Sequence, residues 1–275
     1  MGRASWESVE LPPRGWTDLR FIDSHVHLGD YVDVRQQLAF ATACRGLLVS
    51  AGTDSRSSAR GVALSSERPS LVKAFVGVHP SEAERESGPD WLEGMLRGAA
   101  GVGEIGLDPK YSAVGRDGAQ MRLFRLQLGL AEKAGKPVQV HSRGAERECL
   151  EVLGTFDLEA VLLHWFQGEE GLAGASDKGY YVSFGPAMLV SKKLRRIASA
   201  WDRGHVLVES DGPVSFAALG GAGGSWLIPS VVFGLAGLFG SPYEETARRI
   251  ATNSSEFLGI GGVHLPDAGG GASKA

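Results

Sequence analysis

Cysteine is scarce in this chain. Two among 275 residues, Cys44 and Cys149, cannot build a disulfide framework. Both fall in helix-like stretches, so the expectation is a cytoplasmic protein with free thiols. Long apolar runs are missing too. No stretch reaches the ~20 residues that span a bilayer, and the leading MGRASWESVELPPRG lacks the apolar segment of a secretory signal. A membrane partner is therefore not expected. Positive charge is in deficit: the formal net charge is −4, so no global basic field draws in nucleic acid. From Asp211 through Tyr243 there is no Lys or Arg at all. The 39 glycines form no repeat but cluster at turns, and no obligate protein partner is evident.

What is present is alternation. Strand patterns fall at 21–27, 46–51, 72–78, 101–107, 137–141, 160–164, 180–184 and 205–209. They are continuous and rich in β-branched residues, as strands buried on both faces must be. Amphipathic stretches lie between them at 33–44, 54–66, 82–99, 117–134, 144–154, 168–177 and 190–201, and two more follow at 227–239 and 243–258. Eight strands alternating with helices favour a single closed, parallel (β/α)8 TIM barrel over an open doubly wound sheet. That barrel should occupy residues 1–260, with 1–19 as a surface lead-in and 261–275 as a Gly-rich flexible tail in which His264 has no role. The Gly-rich Leu219–Ser225 falls where a barrel keeps its active-site loops.

In such a barrel, reactive groups sit at the C-terminal ends of the strands. The first strand ends in His25-Val26-His27, two imidazoles on one face of an extended chain. The third runs into His79-Pro80, the fourth carries Glu104, the fifth ends in His141, the sixth in His164, and the eighth runs into Asp211. Any one of these alone reads as a satisfied core residue or a helix cap. Together, His25, His27, His141, His164, Glu104 and Asp211 suffice for two divalent cations with open positions, provided one carboxylate bridges, and Glu104 is well placed to do so. Buried His, Glu and Asp are costly unless paired or metal-bound.

The segments IDSHVHL, GVHP, GEIGLD, VHSR, LLHWFQG, ESDGP and the late Asn253 in RIATNSSEFLGI resemble, in order and spacing, the motif set of the TatD family of metal-dependent deoxyribonuclease-like hydrolases in the amidohydrolase superfamily. The resemblance spans residues 21–260. It implies that His25, His27, Glu104 and Asp211 hold one metal and that Glu104, His141 and His164 hold the second. It also implies that Asp211 orients or deprotonates the attacking water, with Glu104 as the bridging ligand. Magnesium or manganese would serve in turnover. His and carboxylate donors also accept zinc, nickel or iron.

Around this set, His79 is either a substrate-side group or a turn histidine before Pro80. Arg143 is placed to pair with a phosphate. Trp165 stands where the family often has Cys, and it either walls the pocket and stacks on a base or packs barrel against helix. Asp23 and Glu209 lie beside ligands and are expected to orient imidazoles; Asp108 is similar, or a cap. Lys192, Lys193, Arg195 and Arg196 form a basic run on one helix, most simply a solvated face. The expected activity is phosphodiester hydrolysis of DNA, acting as an exonuclease. The uncharged stretch after Asp211 keeps a second reading open, a hydrolase of a small ester, lactone or amide.

Overall fold

A computed structural model describes residues 18–86, 90–115, 118–216 and 221–260. The expectations for most of the lead-in and for the tail from residue 261 fall outside these residues. The chain runs β1 (Ile22–Val26), α1 (Arg35–Ala43), β2 (Leu47–Ala51), α2 (Ser55–Glu67), β3 (Val72–Val76), α3 (Asp90–Leu96), β4 (Gly101–Gly106), α4 (Ala119–Ala134), β5 (Val138–His141), α5 (Glu146–Leu153), β6 (Val161–Leu163), α6 (Leu172–Asp177), β7 (Tyr181–Phe184), α7 (Lys192–Ala200) and β8 (Val206–Val208). A short hairpin, β9 (Ser215–Phe216) and β10 (Gly221–Ala222), precedes α8 (Ile228–Phe239) and α9 (Tyr243–Phe257).

The eight long-range strands pair in parallel and in sequence order. Helices alternate with them, so the architecture is the TIM barrel expected from the pattern. The ends of the sheet meet at the mouth. The Asp211 N–H donates to the His25 carbonyl (3.0 Å), and the His27 N–H donates to the Gly212 carbonyl (2.8 Å). The seam is thus laced by the same backbone that carries three of the candidate ligands.

The apolar strands bury both faces. All residues of β1, β2 and β4 are buried. One core lies between strands and helices, joining Val102, Val138, Val161, Val182 and Val206 to Phe124, Leu128, Ile197 and Leu235. A second joins Ile22, Val49, Phe75, Leu162 and Leu207 to Phe257 of α9. Phe257 stacks on Phe75 at 5.9 Å, and truncating such a ring to Ala costs about 3–5 kcal/mol. This packed base makes the mouth the place where polar groups can gather.

Local signals fix several ends. Asp54 caps α2: its side chain accepts from the Ser57 N–H (2.7 Å), while the Ser57 hydroxyl accepts from the Asp54 N–H (3.0 Å). Gly106 ends β4 at φ +140, where a Cβ would lie 1.9 Å from the His141 carbonyl oxygen. Only glycine lets β4 and β5 approach this closely beside two candidate ligands.

One expectation needs correction. The third helix, expected over 82–99, is a 3-10 turn at Pro80–Glu82 followed by α3. Pro80 sets that turn, and Glu86 folds back to accept from the Trp91 indole (2.8 Å) and the Ser55 hydroxyl (3.2 Å) instead of continuing a helix. The Gly-rich stretch after Asp211 lies between β8 and α8, as expected, and contributes β10 to the hairpin. No single helix among the described residues is long and apolar enough to cross a membrane.

Candidate metal centre

Six side chains converge at the mouth. Glu104, on β4, lies between two groups of imidazoles. Its Oε2 is 3.5 Å from both His25 Nε2 and His27 Nε2. Its Oε1 is 2.7 Å from His141 Nδ1 and 3.6 Å from His164 Nε2. Asp211 Oδ1 is 3.2 Å from His27 Nε2, 3.8 Å from His25 Nε2 and 4.0 Å from His164 Nε2. Three combinations are compact enough to hold an ion: His25 with His164 and Asp211, His25 with His27 and Glu104, and His79 with Glu104 and His141. The structure therefore brings together all six residues expected as ligands and adds His79 to their edge.

The outward nitrogens decide what the inward ones can do. The His27 Nδ1–H donates to the Ala51 carbonyl (3.3 Å), and the His164 Nδ1–H donates to Glu209 Oε2 (2.8 Å). His141 Nε2 faces Asp108 Oδ2 (2.9 Å). His25 Nδ1 faces Gln139 Oε1 (2.9 Å), whose orientation is set because its own amide donates to the Ser24 carbonyl (2.7 Å). Each outward partner is an acceptor, so each neutral imidazole turns a bare lone pair inward. Four lone pairs facing two carboxylates repel one another unless positive charge lies among them. This donor set fits divalent cations.

His79 is arranged the other way. Its Nδ1 accepts from the Ser81 N–H (3.1 Å), so its Nε2 carries the hydrogen and points into the site, 3.7 Å from Glu104 Oε1. Burial lowers its pKa to about 4 against the pull of Glu104. It is a neutral hydrogen-bond donor facing the cavity.

Without a cation, protons supply part of the missing charge. Burial works against protonation of His27, but its hydrogen bond with Asp211 and the charges of Glu104 and Asp211 outweigh it and lift the pKa to about 9. His164 rises to about 10, where burial is overcome by Glu209, Asp211 and Glu104. Burial and the neighbouring His164 lower His25. Burial opposes ionisation of Glu104 and Asp211, yet the surrounding imidazoles hold Glu104 well below the usual carboxylate range and lower Asp211 as well.

Supporting residues lie just outside. Glu209 accepts from both His164 and the Ser183 hydroxyl (2.5 Å). Asp108, held at about 2 because His141, the Lys110 N–H and Arg143 together outweigh its burial, is both an orienting group and a turn cap. Asp23 departs from its expected role. Among the described residues its carboxylate meets no imidazole; it accepts from the Ser210 N–H (2.9 Å), the hydroxyls of Ser210 (2.6 Å) and Ser225 (2.7 Å) and, more distantly, the His25 backbone N–H (3.4 Å). It ties β1 to the segment entering Asp211. Gln139 is the functional neighbour the sequence reading missed. Its position two residues before His141, on the same strand face, was the available signal.

Two non-glycine residues of the mouth adopt left-handed backbone, Asp211 at φ 49 and Trp165 at φ 41. Such conformations cost about 1–3 kcal/mol and persist only where the surroundings impose them. The seam hydrogen bond imposes it on Asp211. The cavity above the cluster has a volume of about 510 Å³, and its walls include His79, Tyr111, Arg143, Trp165 and Val214. Arg143 Nη2 pairs with Asp108 Oδ2 (2.5 Å), and its guanidinium lies 5.6 Å from the Tyr111 ring centre.

A family model described as TatD related DNase matches residues 22–259. An uncharacterized metal-dependent hydrolase TatD of Mycobacterium tuberculosis is 27% identical over 259 residues, covering 87% of this chain and 98% of that one. A 3'-5' ssDNA/RNA exonuclease TatD of Edwardsiella piscicida is 31% identical over 195 residues, 66% of this chain and 74% of that protein. Among solved structures, the TatD homolog YJJV of Escherichia coli K12 superimposes with a TM-score of 0.72 at 26% identity, covering 87% of this chain and 98% of that one.

Proposed function

The chain belongs to the TatD-related DNase family, and from that premise we propose that it is a deoxyribonuclease dependent on two divalent cations, releasing nucleotides from a DNA end. The observation that carries this reading is the convergence of four inward-facing imidazole nitrogens on Glu104 and Asp211. His25, His27, Glu104 and Asp211 would hold one ion, and Glu104, His141 and His164 the other. Magnesium or manganese suits turnover, while zinc, nickel or iron suits the same donors at rest. When bound, the ions supply Lewis acidity and neutralise charge on the phosphoryl oxygens.

The chain's own residues do the rest. The Asp211 carboxylate, ionised and at the mouth, accepts a proton from the attacking water. The His79 Nε2–H donates to a phosphoryl oxygen. Arg143, with donors beyond the one engaged by Asp108, pairs with a phosphate. Trp165 and Tyr111 wall a cavity in the size range of one small ligand, which suits a terminal nucleotide with its base against a ring. A second reading, hydrolysis of a small ester or amide, is favoured by one observation, the stretch Asp211–Tyr243 without Lys or Arg.

The test is cleavage of an end-labelled single-stranded oligonucleotide by metal-stripped protein. Magnesium, manganese and zinc are added back separately, with Asp211→Asn as control. Metal-dependent cleavage, lowered at least 10²-fold in the variant, is expected. No cleavage by protein that still takes up two ions per chain would transfer the assignment to the small-substrate reading.

A further inference from the structure

The proposed nuclease needs somewhere for the rest of the strand to lie, and the segment from Asp211 to Tyr243 offers no cation. One group of four cations stands on another side of the barrel, beyond Arg143 and the Lys110 beside Tyr111 at the mouth. Helix α7 carries Lys192, Lys193, Arg195 and Arg196, all exposed, while Leu194, Ile197 and Ala198 are buried. At 3.6 residues per turn the four cations occupy one arc of about 160°. Because α7 follows β7, its first turn is at the mouth end of the barrel.

Three observations give this arc a direction. Arg196 donates to Glu169 (2.9 Å) on the loop after β6, the loop that bears Trp165. Lys192 is four residues before Arg196, hence on the same helix face and one turn closer to the mouth. The two lysines also occupy a first turn with no acidic residue, where the helix dipole disfavours cations. The first turns of α3, α5 and α9 each carry two acidic residues, whereas those of α1 and α2 carry Arg35 and Arg56 and none.

Resting on the nuclease reading, we propose that Lys192 and Lys193 form the phosphate track for the single strand that leaves the metal centre past Trp165. The strand crosses the β6–α7 edge of the mouth rather than the β8 edge. The track takes the sugar–phosphate backbone of nucleic acid and reads no base. It acts on oligonucleotides longer than the cavity and not on a small diester that fits within it.

The measurement is the salt dependence of kcat/KM for a single-stranded oligonucleotide, in the metal-loaded protein and in K192A/K193A. Hydrolysis of bis(p-nitrophenyl) phosphate is followed alongside. Each phosphate neutralised on a single strand contributes about 0.7 to the slope of log affinity against log salt. Losing two contacts should flatten the slope by about 1.4, so between 50 and 200 mM salt the unaltered protein should lose about sevenfold more than the variant. The small diester should be hydrolysed equally by both. Equal slopes for both proteins would overturn the track and leave the nuclease reading standing. Turnover of the small diester with none of the oligonucleotide, by the unaltered protein, would overturn both.

Discussion

Replacing Glu209 by Gln isolates one charge without changing a shape. Glu209 is buried, with Oε2 accepting from His164 Nδ1 and from the Ser183 hydroxyl, while Oε1 has no hydrogen-bond partner among the described residues. In Glu209→Gln the amide oxygen can take the Oε2 position, keeping both hydrogen bonds and the His164 tautomer. The negative charge behind the imidazole is lost, and a charged acceptor is worth about 1 kcal/mol more than a neutral one. The amide nitrogen then falls where Oε1 stood, a buried donor that costs about 1–3 kcal/mol. For a domain of this size that lowers Tm by about 2–4 °C per kcal/mol. Mutating such an outer partner typically weakens metal binding 10–100-fold, or about 1.4–2.7 kcal/mol. Metal titration against a competing chelator gives the affinity, and activity at saturating metal should return most of the turnover. Metal affinity within twofold of the unaltered protein would refute the claim that Glu209 tunes His164 as a ligand.

Two further outcomes follow from the same centre. In the metal-free protein His27 and His164 have pKa values of about 9 and about 10, so metal uptake at pH 7.5 should release protons and affinity should rise with pH up to that range. Calorimetry in buffers of different ionisation heat reads the count, and zero release would contradict it. Because both folded values exceed the ordinary value of about 6.5, their contribution to metal-free stability is complete below that pH and disappears as pH climbs through 9 to 10. Separately, Gly106→Ala forces a side chain into φ +140 and against the His141 carbonyl. It should destabilise by about 1–3 kcal/mol from the backbone alone in urea unfolding, and a loss below 1 kcal/mol would show that β4 and β5 can part.

The strand ends were legible because each one couples an apolar run to a polar terminus, a pattern visible without any long-range contact. β6 is only Val161–Leu163, yet His164 at its end marks it. The supporting residues were less legible. Gln139 acts on His25 only because it is pinned by the carbonyl of Ser24, 115 residues away in sequence. Asp23, two residues before His25, invites the role of imidazole partner, but the strand irregularity between Asp23 and Val26 and the nearby serines direct it elsewhere. The truncated third helix shows the same limit from the other side: helix periodicity continues through 82–86, and Glu86 is diverted by an indole and a hydroxyl that only the fold supplies.

The seam at the mouth has a consequence for the nascent chain. Asp23 meets Ser210 across 187 residues of sequence, and the N–H of Asp211, the last candidate ligand in the chain, donates to the His25 carbonyl. Ribosomes add about 5–20 residues per second, so the imidazoles of β1 wait many seconds for their last carboxylate. The contact that closes the barrel between β1 and the segment after β8 is therefore also the one that brings the last of the six candidate ligands to the other five.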